Sequence, residues 1–264
     1  MTSIFDLTDK VIIVTGGYGH LGSGIVNSLL GFGAKVIVAG RTKEKYQEKF
    51  KDIKKANLFF EKFDISQSGE DFMSQFKEFK SKYGSIDVVF NNAHFARGSN
   101  QENMSDEDWS YTMEGVLASV QKSIKASIPI MREQKHGKII NIASMYGHIS
   151  PNFKRLYEGD DCEKYTNPPH YGAAKAGVIQ LTKYYAVLLG KENIYVNAIS
   201  PGPFSKDQIQ EDNPAFIKKL EQSNPLNRIG QPKDLAGISV LLSSEASNFI
   251  TGQNFAVDGG WTIW

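Results

Sequence analysis

The stretch Lys10-Val-Ile-Ile-Val-Thr15 runs directly into Gly16-Gly17-Tyr18-Gly19-His20-Leu21-Gly22, after which apolar residues recur at helical spacing. A β-branched run, a glycine-rich turn and a helix in immediate succession constrain the chain to a β-α unit of a parallel sheet. Glycine lets the backbone of such a turn come close to a phosphate, and the amides and dipole of the following helix favour the negative charge. Gly16, Tyr18, Gly19, His20, Leu21 and Gly22 are therefore candidate contacts to a dinucleotide. Taken alone, the pattern also fits a plain tight turn.

Further short apolar runs at 35–39, 58–63, 86–90, 138–144, 194–200 and 254–257 alternate with segments of helical spacing at 70–83, 106–131, 171–189 and 231–243. Alternation of this kind predicts an α/β fold, a doubly wound, predominantly parallel sheet of about seven strands with helices on both faces. No repeat or linker interrupts it, so residues 1–264 are expected to form a single Rossmann-like domain.

Tyr171 and Lys175 stand four apart at the start of an apolar-periodic helix and so share one face, where a phenol and an ammonium can address the same bound molecule. The run 138–144 delivers Ser144 at the carboxyl end of a strand, the edge where open parallel sheets place ligands. Tyr171, Lys175 and Ser144 are the candidate catalytic residues. A cation about 4 Å from the phenol would favour phenolate by roughly 4 kcal/mol at an effective dielectric of about 20, before desolvation opposes it.

Together with the glycine turn, Asn91-Asn92-Ala93, Asn197 before Ser200-Pro201-Gly202, and Val257-Asp258-Gly259-Gly260, these residues resemble the short-chain dehydrogenase/reductase family across essentially the whole chain. The compact single-domain branch is the match. This resemblance implies that Tyr171 exchanges the proton, that Lys175 lowers its pKa and holds the nicotinamide ribose, and that Ser144 orients the carbonyl oxygen. It also implies cofactor contacts at Asp64 and Ile65 (adenine), Asn92 and Ala93 (ribose), and Pro201 and Gly202 (nicotinamide).

Three departures stand out. His20 occupies the middle glycine position of the compact branch, and the spacing Thr15-Gly16-x-x-Gly19-x-x-Gly22 is similar to that of the larger sugar-nucleotide-modifying branch. His94 stands where the family has a glycine after Asn-Asn-Ala. Val116, seven residues on from Trp109, falls where the resemblance implies a proton-relay Asn, leaving Lys175 to another residue such as Glu114, a backbone carbonyl or a displaced water. At the second strand's end an acidic residue would bind adenosine ribose hydroxyls; here Gly40 precedes Arg41, whose guanidinium suits a 2′-phosphate. NADP(H) is thus expected over NAD(H), which stays possible.

Twenty-six residues separate Ser144 from Tyr171, about twice what the family resemblance requires. The surplus at 150–170 mixes aromatic and basic side chains beside the chemistry and is expected to contact substrate rather than to support folding, with Arg155 and Tyr157, and with Tyr146 and His94 nearby, as candidate contacts. A polar, proline-punctuated stretch at 204–227 is a second candidate lid.

A net charge of +1 argues against a nucleic-acid partner, and no segment approaches a membrane-spanning length, so neither nucleic acid nor membrane is expected as a partner. Cys162 is the one cysteine, which excludes an intrachain disulfide and a cysteine-based metal cluster, and suits a reducing cytoplasm. No metal site is expected. Family resemblance and the apolar helices 106–131 and 171–189 imply a homodimer or homotetramer.

The expected activity is hydride transfer between a nicotinamide cofactor and a carbonyl or secondary alcohol of a small-molecule substrate. The insertion and the ending Gly259-Gly260-Trp261-Thr-Ile-Trp264 resemble family members associated with bacterial surface-sugar modification, which implies a sugar, sugar phosphate or nucleotide sugar. A 3-oxoacyl thioester or small ketone is the enzymatic alternative, and a weakly active cofactor-binding regulatory subunit is the non-enzymatic one.

Overall fold

The computed structural model describes residues 3–53, 56–98, 102, 104–158 and 165–263. In chain order they form β1 (Val11–Thr15), α1 (His20–Gly31), β2 (Lys35–Gly40), α2 (Lys43–Lys49), β3 (Leu58–Lys62), α3 (Gly69–Tyr83), β4 (Val88–Asn91), α4 (Asp106–Met113), α5 (Ser119–Gln134) and β5 (Gly137–Ile142). After these come α6 (Phe153–Leu156), α7 (Pro169–Leu189), β6 (Ile194–Pro201), α8 (Asp207–Asp212), α9 (Pro214–Glu221), α10 (Ala236–Ser243) and β7 (Asn254–Val257).

All seven strands pair in parallel, in the order β3-β2-β1-β4-β5-β6-β7, so the expected doubly wound Rossmann-like sheet is present. The central strands are buried on both faces, which is why they read as unbroken apolar runs rather than alternating ones. On one face Ile13, Val89 and Ile139 pack with Phe72, Phe76, Ile124 and Val178 from α3, α5 and α7. On the other, Ile12, Val14 and Val36 pack with Ile25, Leu29, Tyr46 and Val240 from α1, α2 and α10.

The strand order reverses between β1 and β4, and that crevice at the carboxyl edge is the place where such sheets bind ligands. It is closed tightly from within. Thr15 Oγ1 accepts the amides of Asn92 and Ala93, each at 3.0 Å, and donates to the Phe90 carbonyl at 3.1 Å, tying the end of β4 to the end of β1. Beneath the edge, Asn91 Nδ2 donates to Asn141 Oδ1 (2.8 Å) and Asn141 Nδ2 to Thr182 Oγ1 (2.9 Å), a buried polar chain joining β4, β5 and α7.

The helix expected at 106–131 is one continuous but modified element: α4 passes through a π-helical segment, Glu114–Ala118, into α5. Such segments widen the turn by one residue and frequently occur at functional sites. The 150–170 insertion is not only a loop. It contains α6, and Leu156 and Tyr157 are buried with Met145, Tyr146, Phe216, Ile217, Leu220 and Trp261 in a third apolar cluster between α6 and α9. Residues 159–164 of the insertion, Cys162 among them, lie outside the described residues. Among the described residues no helix is long and apolar enough to cross a membrane, and no group of His, Cys, Asp or Glu could hold a metal ion.

Candidate active site

A cleft of about 480 Å³ runs along the carboxyl edge of the sheet from Arg41 to Ser144, Tyr171 and Lys175. Its walls bring together most of the residues singled out in the sequence: Gly16, Tyr18, Gly19, His20, Leu21 and Gly22 of the turn, Arg41, Ile65, Asn92, Ala93 and His94, then Pro201 and Gly202.

The turn has the form its glycines require. Gly16 adopts φ +62°, and a Cβ on Gly22 would stand 2.5 Å from the Gly16 carbonyl oxygen, so α1 starts in direct contact with the turn. Gly19 caps α1 without a side-chain hydrogen bond and no acidic residue stands in the first turn, which leaves the helix N-terminus open to an anion. His20 Nε2 is buried there without a partner. Burial lowers the His20 pKa, opposed by Asp207 and reinforced by Lys49 and Lys206. A long cleft, an uncapped helix start and an orphaned ring nitrogen at its centre fit the pyrophosphate and two nucleosides of a dinucleotide.

Asn92 is placed differently from the simplest expectation. Its side-chain amide donates to the Thr15 and Gly16 carbonyls (2.9 and 3.2 Å), so the side chain holds the turn's shape, and its contribution to the cleft wall lies beside that bracket.

At the chemical end, Ser144 leaves β5 in extended conformation and its Oγ accepts the Tyr146 amide at 3.2 Å. Burial raises the Tyr171 pKa, opposed by the Ser144 hydroxyl, which favours the phenolate. Lys175 is buried, its Nζ 5.7 Å from the centre of the Tyr171 ring, and donates to the Ile142 carbonyl at 2.6 Å. Burial pushes the Lys175 pKa down to about 7. The desolvation that opposes the cation's pull on the phenol is large here, because burial favours the neutral form of both groups.

Val116 is buried in the π-helical segment, and no Asn side chain stands there. Glu114 does not replace it, because it is ion-paired with Lys122, which also donates to the Gln67 carbonyl at 2.9 Å. The group that receives the Lys175 proton donor is the backbone carbonyl of Ile142.

Four residues expected at the site lie off the cleft wall. Asp64 Oδ1 accepts the amide and hydroxyl of Ser66, both at 2.9 Å, because an Asp at a strand end readily folds onto the backbone two residues on. Tyr146 and Tyr157 bury their rings in the third apolar cluster with hydroxyls 3.3 Å apart. Arg155 reaches away, donating to the Gln222 carbonyl on the lid. Conversely, Phe63, Phe95, Phe204 and Lys206 line the cleft without having been singled out as contacts.

A family model described as Enoyl-(Acyl carrier protein) reductase matches residues 19–262. The chain is 34% identical over 259 residues, 96% of this chain and 98% of the relative, to the 3-oxoacyl-[acyl-carrier-protein] reductase FabG of Chlamydia muridarum. Among solved structures it is similar to a gluconate 5-dehydrogenase from Burkholderia cenocepacia in complex with NADP and tartrate (28% identity, TM-score 0.85, 98% of this chain and 97% of that one). It is also similar to a short chain dehydrogenase from Leptospira borgpetersenii with bound NAD+ (28% identity, TM-score 0.84, 100% and 97%).

Proposed function

The chain belongs to the short-chain dehydrogenase/reductase family, and we propose that within it the protein reduces, or forms by oxidation, a carbonyl group on a small hydroxylated substrate such as a sugar, sugar phosphate or nucleotide sugar. The observation that carries this is the set of polar side chains His94, Ser144 and Lys206, which share the cleft wall with Tyr171 beside the apolar Phe95 and Phe204. The gluconate dehydrogenase likeness supports it.

In this reading the turn 16–22 would hold the pyrophosphate and the Tyr18–Arg41 end the adenosine, with Pro201 and Gly202 beside the nicotinamide. The cofactor supplies the hydride. The protein contributes alignment and the proton: Ser144 positions the carbonyl oxygen, Tyr171 delivers a proton to it from a phenol that burial keeps protonated, and Lys175, fixed by the Ile142 carbonyl, sets the electrostatic field behind the phenol. In the direction of oxidation the same groups run in reverse.

We propose NADP(H) as the preferred cofactor, with NAD(H) as the alternative, because Arg41 adds a guanidinium at the adenosine end while position 40 carries no acid to repel a phosphate. A reducing cytoplasm and a homo-oligomer complete the proposal.

The 3-oxoacyl reductase reading is supported by the 34% identity to FabG and by the match to the acyl carrier protein reductase model. Measuring NADPH and NADH oxidation against keto-sugars and 3-oxoacyl thioesters in parallel separates the two. Higher kcat/KM on the thioester would replace the sugar reading, and absence of oxidation with every carbonyl compound would remove the enzymatic one.

A further inference from the structure

His94 follows Asn91-Asn92-Ala93 just past the end of β4, lines the cleft, and places its ring centre 6.1 Å from that of Tyr171. The segment that carries it is clamped on several sides. Phe95 packs on Gly115 of the π-helical segment so closely that a Cβ there would stand 2.2 Å from the Phe95 carbonyl oxygen, and its ring meets Tyr111 at 4.6 Å. Arg97 pairs with Asp108 at 2.6 Å and lies over the Tyr111 ring, its amide donates to Thr112 Oγ1 at 3.2 Å, and its carbonyl meets His170 Nε2 at 2.8 Å. His94 is thus held against Tyr171 by α4, the π-helical segment and the start of α7.

A neutral imidazole carries its hydrogen on one ring nitrogen and leaves the other an acceptor. Surrounding protein, and then the nearby charges of Lys175 and Lys206, disfavour the imidazolium and keep this assignment in force. A fixed acceptor beside the proton donor gains from a substrate hydroxyl. Facing a methylene, or the second carbonyl of a 3-oxoacyl chain, it loses a water hydrogen bond and receives nothing in return.

We propose that His94 is a specificity-determining residue whose free ring nitrogen accepts a hydrogen bond from a hydroxyl on the carbon next to the reacting carbonyl. This rests on the carbonyl-reductase reading above and narrows its substrate class to α-hydroxy ketones and their vicinal diols.

Acetoin and butanone share a carbon skeleton and differ by that hydroxyl alone. The full-length protein should favour acetoin by about tenfold or more in kcat/KM, the worth of one hydrogen bond. His94→Leu should bring the ratio close to one, chiefly by raising KM for acetoin, while His94→Gln, which keeps an acceptor, should restore much of it. His94→Gly replaces the leucine variant if thermal unfolding shows that the latter does not fold. The proposal is overturned if the unmodified protein turns over both ketones equally, or if both apolar replacements keep its ratio. If acetoin, butanone and an acetoacetyl thioester all fail to be reduced while cofactor still binds, the carbonyl-reductase reading falls and His94's assignment with it.

Discussion

A methyl group added to Gly40 would lie 2.4 Å from the ring of Tyr18, whose hydroxyl accepts the amides of Arg41 (3.1 Å) and Thr42 (3.3 Å). The missing acid at the end of β2 therefore has a packing cause as well as an electrostatic consequence. A side chain at position 40 has to move the Tyr18 ring, and with it the hydroxyl that receives two backbone amides.

It follows that Gly40→Asp alone should weaken NADPH and NADH together, rather than exchange one for the other. Arg41→Ala should weaken NADPH by about tenfold or more, the loss of a charge-assisted hydrogen bond, and leave NADH nearly unchanged. Fluorescence titration of both cofactors checks this. Equal affinity losses in Arg41→Ala would show that the guanidinium does not read a 2′-phosphate.

Tyr171→Phe should lower kcat by about two to four powers of ten, the usual worth of a positioned proton donor, with cofactor affinity within about twofold. Only the hydroxyl is removed, and the ring that packs toward His94 remains. Retention of most of the wild-type rate would assign the proton transfer to another group.

Lys175 gives a stability prediction whose sign is fixed by the direction of its shift. Its pKa in the folded chain, about 7, lies below the ordinary lysine value, so between the two the unfolded chain binds a proton that the folded chain does not. This group opposes folding fully below about pH 7, and the opposition fades as pH rises toward the ordinary lysine range near 10. Lys175→Met should accordingly gain stability relative to wild type near neutral pH, offset in part by the lost bond to Ile142, and that gain should shrink by several kcal/mol between about pH 7 and 10. Denaturant titrations without cofactor measure the difference, in which groups common to both proteins cancel. A pH-independent difference would mean that the ammonium stays hydrated.

The sheet was legible because parallel strands buried on both faces leave unbroken apolar runs, and the cleft because its glycines and its Tyr-Lys pair keep fixed local spacings. What the sequence hid depends on long-range partners. That Lys175 is held by the Ile142 carbonyl involves a backbone atom, which no residue letter encodes. Nothing in the letters around Tyr18 says that its hydroxyl spans two amides beyond β2. Tyr146 and Tyr157 looked like substrate contacts because of their distance along the chain from Ser144. Their rings are instead buried against α9, whose apolar face is shown by Phe216, Ile217 and Leu220 together.

Assembly is a further expectation with a structural basis. The outer face of α7 exposes Ala173, Ala176, Gln180, Lys183, Tyr184, Val187 and Leu188, small residues at one end and large apolar ones at the other with Gln180 and Lys183 between them. We propose that it pairs across a symmetry axis. Sedimentation at micromolar concentration should give a dimer or tetramer, and Val187→Glu with Tyr184→Glu should shift it toward monomer. A monomeric wild-type protein would remove the idea.

The insertion after Ser144, expected to govern substrate binding rather than folding, is joined through α6 to the second lid segment. Leu156 is fully buried and Tyr157 nearly so; Tyr157 stacks on Phe216 at 6.1 Å between ring centres, and Tyr165 does so at 4.7 Å. Lys219 of α9 donates to the Glu158 carbonyl at 2.7 Å, and Arg155 of α6 to the Gln222 carbonyl, so insertion and lid are joined by reciprocal polar bonds around a shared apolar centre. Their free energy of opening is therefore common to both. Leu156→Ala removes a fully buried side chain, a change that typically costs about 2–5 kcal/mol where the site cannot collapse. Because the cluster lies at the rim rather than between sheet and helices, that cost should appear first as local opening of 150–158 and 204–223, not as global unfolding. Hydrogen exchange should speed up in both segments at once, KM for substrate should rise, and protection of β1 and β4 should stay as in wild type. Faster exchange confined to α6 would show that the two segments move independently, and loss of protection throughout the sheet would make α6 part of the main core.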